Sequence, residues 1–157
     1  QALIAWVVSA PLLVVFSGAG AWQGWDTAGL ALAAFGVAFS ALADLQLARF
    51  LSRPRAAGAV MDQGLWRWSR HPNYFGEACL WWGLWLMALG AQGWHGAWSA
   101  ISPLLMTWLL LRVSGVALLE QDMAQRRPAY ADYVRRTSAF VPWPPRQPAR
   151  AWAEPRS

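Results

Sequence analysis

Between Gly64 and Trp82 the chain reads GLWRWSRHPNYFGEACLWW, and its polar residues are spaced for a helix with a charged head. Pro72 suits a first helical turn, where its missing N–H has no intrahelical task, and Ser69 or His71 stands in capping position. Asn73, Glu77 and Trp81 then recur at steps of four on one face, with Arg70 and Tyr74 alongside. A helix N-terminus beside Arg67 and Arg70 can hold phosphate through its free N–H groups and through planar guanidinium forks. The same arginines would equally well anchor the helix among lipid headgroups. His71 is either a donor to a phosphate or substrate carbonyl, or only a cap. Farther along, RRPAYADYVRRTSAFVPW gathers Tyr130, Tyr133, Arg135 and Arg136. Arginines there could take phosphates, and tyrosines could stack on or hydrogen-bond a nucleoside. Taken alone, that cluster reads as a basic patch on an anionic membrane.

The elements that must position these groups are apolar. Hydrophobic residues make up 57% of the chain and charged residues 13%, about half the charged share of a soluble domain. Thirteen tryptophans point to membrane–water boundaries, where indoles concentrate. The net charge of +5 is carried entirely by arginines clustered between or after apolar runs, which favours a membrane surface over nucleic acid. Cys79 is the only cysteine, and His71 and His95 have no ligands clustered around them. A disulfide, a cysteine zinc site and a metal centre built by this chain alone are therefore not expected.

Four apolar runs predict four helical spans: Ala2 to Phe16, Thr27 to Leu51, Pro72 to Leu89 and Trp98 to Leu119. The expected fold is all-α, a polytopic transmembrane bundle in a single membrane domain over 1–145, with a disordered tail over 146–157. An amphipathic helix is expected over Leu118–Arg127, ended by Pro128. The first run lacks a basic leader and a small-residue cleavage site, so it does not read as a signal peptide. Starting at Gln1, the chain is expected to be a processed or partial piece.

Depth adds a second constellation. Asp44 lies seven residues before the end of the second run, Glu77 five residues into the third, and Arg112 a comparable distance before the end of the fourth. At 1.5 Å per residue, Glu77 would sit roughly 8 Å below the membrane surface. An ionised side chain there costs at least about 2.5 kcal/mol, so these residues should face inward and mark a site. A plain ion pair of Arg112 with Glu77 or Asp44 is the structural alternative.

The run GLWRWSRHPNYFGE followed by WWG, together with LLRVSGVALLEQDMAQRRPAYADYVRRTSAFVPWPP, resembles the C-terminal half of bacterial membrane proteins related to steroid 5α-reductases. The wider superfamily takes in sterol reductases and, more distantly, isoprenylcysteine carboxyl methyltransferases. The resemblance covers about Leu30 to Pro145 and implies an NADPH-dependent reductase of carbon–carbon double bonds in steroid- or lipid-like enones, set in a bacterial inner membrane. It implies that Asp44, Asn73, Arg53, Arg112, Tyr130 and Tyr133 contact the cofactor and that Glu77 lines the same pocket. The residues' own spacing adds Arg70, Tyr74 and Arg135 as expected cofactor contacts and His71, with Glu77, as an expected catalytic residue. The family's reductases carry a substrate-binding half upstream that has no counterpart here, so the expectation is that a missing N-terminal half or a partner subunit supplies it, or that the protein only binds nucleotide. An S-adenosylmethionine-dependent methyltransferase and a non-catalytic membrane subunit are the competing readings. Asn73 and Glu77, and the lack of a paired Glu-Glu in the last helix, favour the reductase.

Arginine asymmetry sets the orientation. The turns Ser17–Asp26 and Gly90–Ala97 hold no arginine, whereas Ser52–His71 holds Arg53, Arg55, Arg67 and Arg70 and the tail holds more. The positive-inside rule then puts both termini and the 52–71 connection in the cytoplasm. Single cysteines at Gly20 and Gly93, in a Cys79→Ser background, should react in intact cells with an impermeant thiol reagent, and one at Gly58 should not. External labelling at Gly58 would reverse this topology.

Overall fold

The computed structural model describes residues 2–18, 20–54, 58–112 and 128–146, and the described elements are helical without a strand. Among the described residues six α-helices occur in order: α1 (Ala2–Val8), α2 (Ala10–Ser17), α3 (Gly24–Leu51), α4 (Pro72–Gln92), α5 (Ile101–Arg112) and α6 (Pro128–Arg136). Two 3-10 segments, Gly64–Arg67 and Gly93–Ala100, lead into α4 and α5.

The described parts of all four apolar runs fold as helix, with corrections at their ends. The first breaks at Ser9, because Pro11 has no N–H to continue the ladder from α1. Two amides, those of Leu12 and Leu13, turn instead to the Ser9 carbonyl. The fourth starts as α-helix only at Ile101, after a 3-10 segment in which Ser99 Oγ donates to the Gly96 carbonyl. Residues 113–119 of that run, the expected amphipathic helix to Arg127 and the tail 147–157 lie outside the described residues.

Four spans are more than length and hydropathy establish. Among the described helices α3 alone, with 28 residues, is long and apolar enough to cross a membrane. The α4 helix has 21 residues, but Glu77 and its three amphipathic indoles, Trp81, Trp82 and Trp85, dilute its hydropathy.

The packing of α3 inverts that of a helix in a soluble protein. Its buried positions are Asp26, Gly29, Ala33, Gly36 and Ala43, at heptad spacing, while Leu30, Phe35, Val37, Leu42 and Leu45 are exposed. Small residues at the contact and large apolar side chains outside are what a lipid solvent favours, since lipid gives no hydrophobic gain for burying leucine. The partner in this contact, the most extensive of the fold, is α4. The two run antiparallel in a register set by glycine. A β-carbon at Gly83 would lie 2.5 Å from the Ala33 nitrogen and 2.6 Å from the Gly29 oxygen. One at Gly76 would lie 2.6 Å from the Gly36 oxygen.

At the far end of the pair, Gly90 leaves space for the buried Asp26 carboxylate. That carboxylate accepts the Gln23 N–H at 2.8 Å, within a capping box that starts α3 at the positive end of its dipole. Ser102 Oγ, fully buried, donates to the Val8 carbonyl at 2.6 Å and ties α5 to α1. Gln92 Nε2 reaches Ser17 Oγ at 2.8 Å and ties α4 to α2.

The close approach gives a direct test. Gly83→Leu should lower stability by about 1–3 kcal/mol, the usual scale of overpacking, read as an earlier thermal transition in detergent. Gly24→Ala, where a β-carbon meets open space, should leave the transition where it is.

Candidate functional site

Several of the residues singled out by chemistry lie where α3 ends and α4 begins. Two of them are joined directly: Asn73 Nδ2 donates to Asp44 Oδ1 at 3.0 Å. The glycine register makes this possible, since Asp44 lies two turns beyond Gly36 on α3 and Asn73 one turn before Gly76 on α4. Asn73 Oδ1 in turn accepts the Tyr74 N–H at 3.0 Å, which fixes the carboxamide's orientation from both sides.

Pro72 occupies the first turn of α4 with His71 at the N-cap position, as the sequence predicts. His71 makes no side-chain cap bond; its ring stacks on Tyr74, with centroids 5.4 Å apart and planes 13° apart. Ser69 does more than cap. Fully buried, it accepts the His71 N–H at 3.1 Å and donates to the Phe140 carbonyl at 2.7 Å.

The stretch 64–70 is held from both sides. Gly64 has φ 58°, in the left-handed region, and a β-carbon there would lie 2.7 Å from Gln46 Cδ. With that space free, Gln46 Oε1 accepts the Leu65 N–H at 2.9 Å, and Trp66 Nε1 donates to the Ala43 carbonyl at 2.9 Å. From the other side, α6 and the segment 137–146 close over it as a clasp. Arg70 Nη1 donates to the Val134 and Thr137 carbonyls at 2.8 and 2.6 Å, and so caps the C-terminal end of α6. The Arg70 N–H donates to the Ser138 carbonyl beside an isolated Ser69–Ser138 bridge, and the Trp143 N–H donates separately to the Trp68 carbonyl. Tyr133 is 2% exposed, and its hydroxyl donates to the Trp66 carbonyl at 2.5 Å with the Ser69 carbonyl 3.3 Å away.

These contacts place several of the expected site residues. Arg70 and Tyr133, expected to face a cofactor, are committed to the chain's own carbonyls, and the buried Tyr133 ring has no open face on which a nucleoside could stack. Tyr130 is also buried and lies against Tyr133, with centroids 5.8 Å apart. Arg135 is exposed and pairs with Asp132 one turn earlier. Arg112 is exposed at the last described position of α5, and among the described residues it pairs with neither Asp44 nor Glu77. The alternative of a simple ion pair at depth is thus not formed. Glu77 is half-buried and has no ion-pair partner among the described residues. One turn deeper on the same helix face, Trp81 Nε1 is a buried donor with no acceptor among the described residues.

Arg53 has a neighbour that sequence reasoning passed over. Gln46, Arg49, Phe50 and Arg53 of α3 and its C-terminal extension line an open cavity of about 390 Å³, with Met61 and Gln63 also on its wall. Both arginines are exposed, and among the described residues neither pairs with a carboxylate. The spacing 46, 49, 53 is helical and was visible in the chain. What hid Arg49 was its place at the end of an apolar run, where a lone arginine reads as an interfacial anchor.

A family model described as protein of unknown function (DUF1295) matches residues 1–137, and the chain belongs to that family. The family is associated with steroid 5α-reductase-like proteins. The match ends at Thr137, short of the segment that completes the clasp. No curated protein and no solved structure matches the chain.

The clasp yields a measurable expectation. Tyr133→Phe removes a buried hydroxyl and leaves the Trp66 carbonyl without its donor, at a cost of about 1–3 kcal/mol. Limited proteolysis between Gly64 and Arg70 should accelerate in that variant, whereas Arg135→Gln, altering only an exposed pair, should be cleaved at the parental rate.

Proposed function

We propose that this member of the family is the cofactor-binding half of a membrane reductase, using NADPH to reduce a carbon–carbon double bond in a steroid- or lipid-like enone. In this reading α3, α4 and the flanking helices form a bundle in the bilayer, and the clasp and the arginine-lined cavity lie at its cytoplasmic end. The observation that carries it is the Asn73–Asp44 hydrogen bond, beside an α3 end that presents two arginines with no carboxylate partner among the described residues. Two positions that the resemblance assigns to one cofactor, 29 residues apart, are brought into contact by the helix register.

The donor set suits a dinucleotide. Arg49 and Arg53 offer planar forks for a diphosphate, and a cavity of about 390 Å³ accommodates it. Asp44, with one oxygen engaged by Asn73, keeps acceptor capacity for ribose or amide donors. Glu77, half-buried and one turn deeper, would accept from a carboxamide, and Trp81 Nε1 below it would donate to a carbonyl. A buried donor left unsatisfied costs about 1–3 kcal/mol, which a ligand oxygen would recover. When bound, the dihydronicotinamide supplies a hydride to the alkene carbon β to the carbonyl, and a proton completes the neighbouring carbon. The chain's own part is to orient that ring, exclude water and fix the phosphates. Arg70, Ser69 and Tyr133 act behind the site by holding the start of α4 in place.

Equilibrium binding of NADPH, NADH and S-adenosylmethionine to the purified protein tests the reading. NADPH should bind, and Arg53→Ala should weaken it about ten- to a hundredfold, the loss expected for a charge-assisted phosphate contact. Glu77→Gln should keep much of the affinity and Glu77→Ala should lose it if the carboxylate accepts from an amide. Binding of S-adenosylmethionine without either dinucleotide would replace the reductase by the methyltransferase, and binding of none would leave a non-catalytic subunit.

A further inference from the structure

We propose that the clasp carries a second anion site, separate from the Asp44–Asn73 region, that takes a phosphomonoester, supplied by a lipid headgroup or as free phosphate. The site is the cavity of about 460 Å³ between the 62–67 stretch and the end of α6 with its returning segment. Arg67, Arg136 and Arg146 line it, with Asp62 as the single carboxylate. Asp62 is engaged by Arg136, which leaves the exposed Arg67 and Arg146 without a carboxylate among the described residues. The backbone around them is fixed. The Arg146 N–H donates to the Arg136 carbonyl at 2.9 Å, Thr137 beside it is buried, and Gln46 holds the 64–65 turn from α3. Two uncompensated guanidiniums on a braced frame match a dianion, and a phosphomonoester carries about −1.5 to −2 at neutral pH.

The rim favours the lipid source. Trp68 is 45% exposed and Trp143, which lines the adjoining cavity with Arg70 and Arg146, is 67% exposed. Exposed indoles next to arginines are the arrangement that settles at headgroup depth, where the ring meets acyl chains and the cation meets phosphate. This inference does not rest on the reductase reading, and the following experiment separates the two.

Short-chain phosphatidic acid, phosphatidylcholine of the same chain length and inorganic phosphate are titrated into detergent-purified protein, with occupancy read by native mass spectrometry and by thermal shift. Phosphatidic acid should bind in preference to phosphatidylcholine, and the double variant Arg67→Gln/Arg146→Gln should lose about tenfold or more of the affinity. If the source is lipid, Trp143→Gln weakens phosphatidic acid and leaves phosphate unchanged. If the source is free phosphate, phosphatidic acid and phosphate bind alike and Trp143→Gln affects neither. Saturating NADPH should leave the occupancy intact. Parental affinity in the double variant, equal binding of phosphatidylcholine, or displacement by NADPH would each overturn a separate phosphomonoester site.

Discussion

Where α3 crosses α4, the two backbones lie closer than any side chain allows. Gly29, Gly36, Gly76 and Gly83 face one another with carbonyl oxygens and amide nitrogens in the space that β-carbons would occupy. Such an approach suits helices whose large apolar residues already lie in a favourable solvent. Dispersion and shape then hold the pair, and a single methyl group at the contact would force it apart. It also sets a register that cannot slide, because each glycine matches a particular turn of the partner. That register places Asp44 beside Asn73 at one end and the buried Asp26 beside Gly90 at the other.

Around the polar end of the pair, the fold spends most of its hydrogen-bonding side chains on the chain itself. Ser69, Arg70 and Tyr133 tie the entry to α4 to α6 and the returning segment through five carbonyls: Trp66, Ser69, Val134, Thr137 and Phe140. Buried bonds of this kind are strong because the surroundings are poorly polarisable, and for the same reason each carbonyl must have its donor. The outcome is a division among the arginines. Arg70 braces the frame, Arg135 and Arg136 are paired with Asp132 and Asp62, and Arg49, Arg53, Arg67, Arg112 and Arg146 have no carboxylate partner among the described residues. Charge counting alone cannot make that division, since every guanidinium carries the same charge.

Sequence by itself determined the helical class, the place of α4 from its RHPNYFGE head, and the grouping of Asn73, Glu77 and Trp81 on one face. These follow from local rules: a proline fixes a first turn, a 3.6-residue period fixes a face, and long apolar runs fold as helix. The break at Ser9 and the late start of α5 also have local causes, in Pro11 and in the 3-10 segment 93–100. The partners of each polar group were decided only by the tertiary structure. Asp44 bonds Asn73 rather than Arg112, Tyr133 is turned into the frame, and Arg49 joins Arg53 at a cavity, because these outcomes depend on how α3, α4 and α6 sit against one another. Helix register comes from backbone contact between glycines, and a glycine in a sequence says that a neighbour can come close without saying which neighbour does.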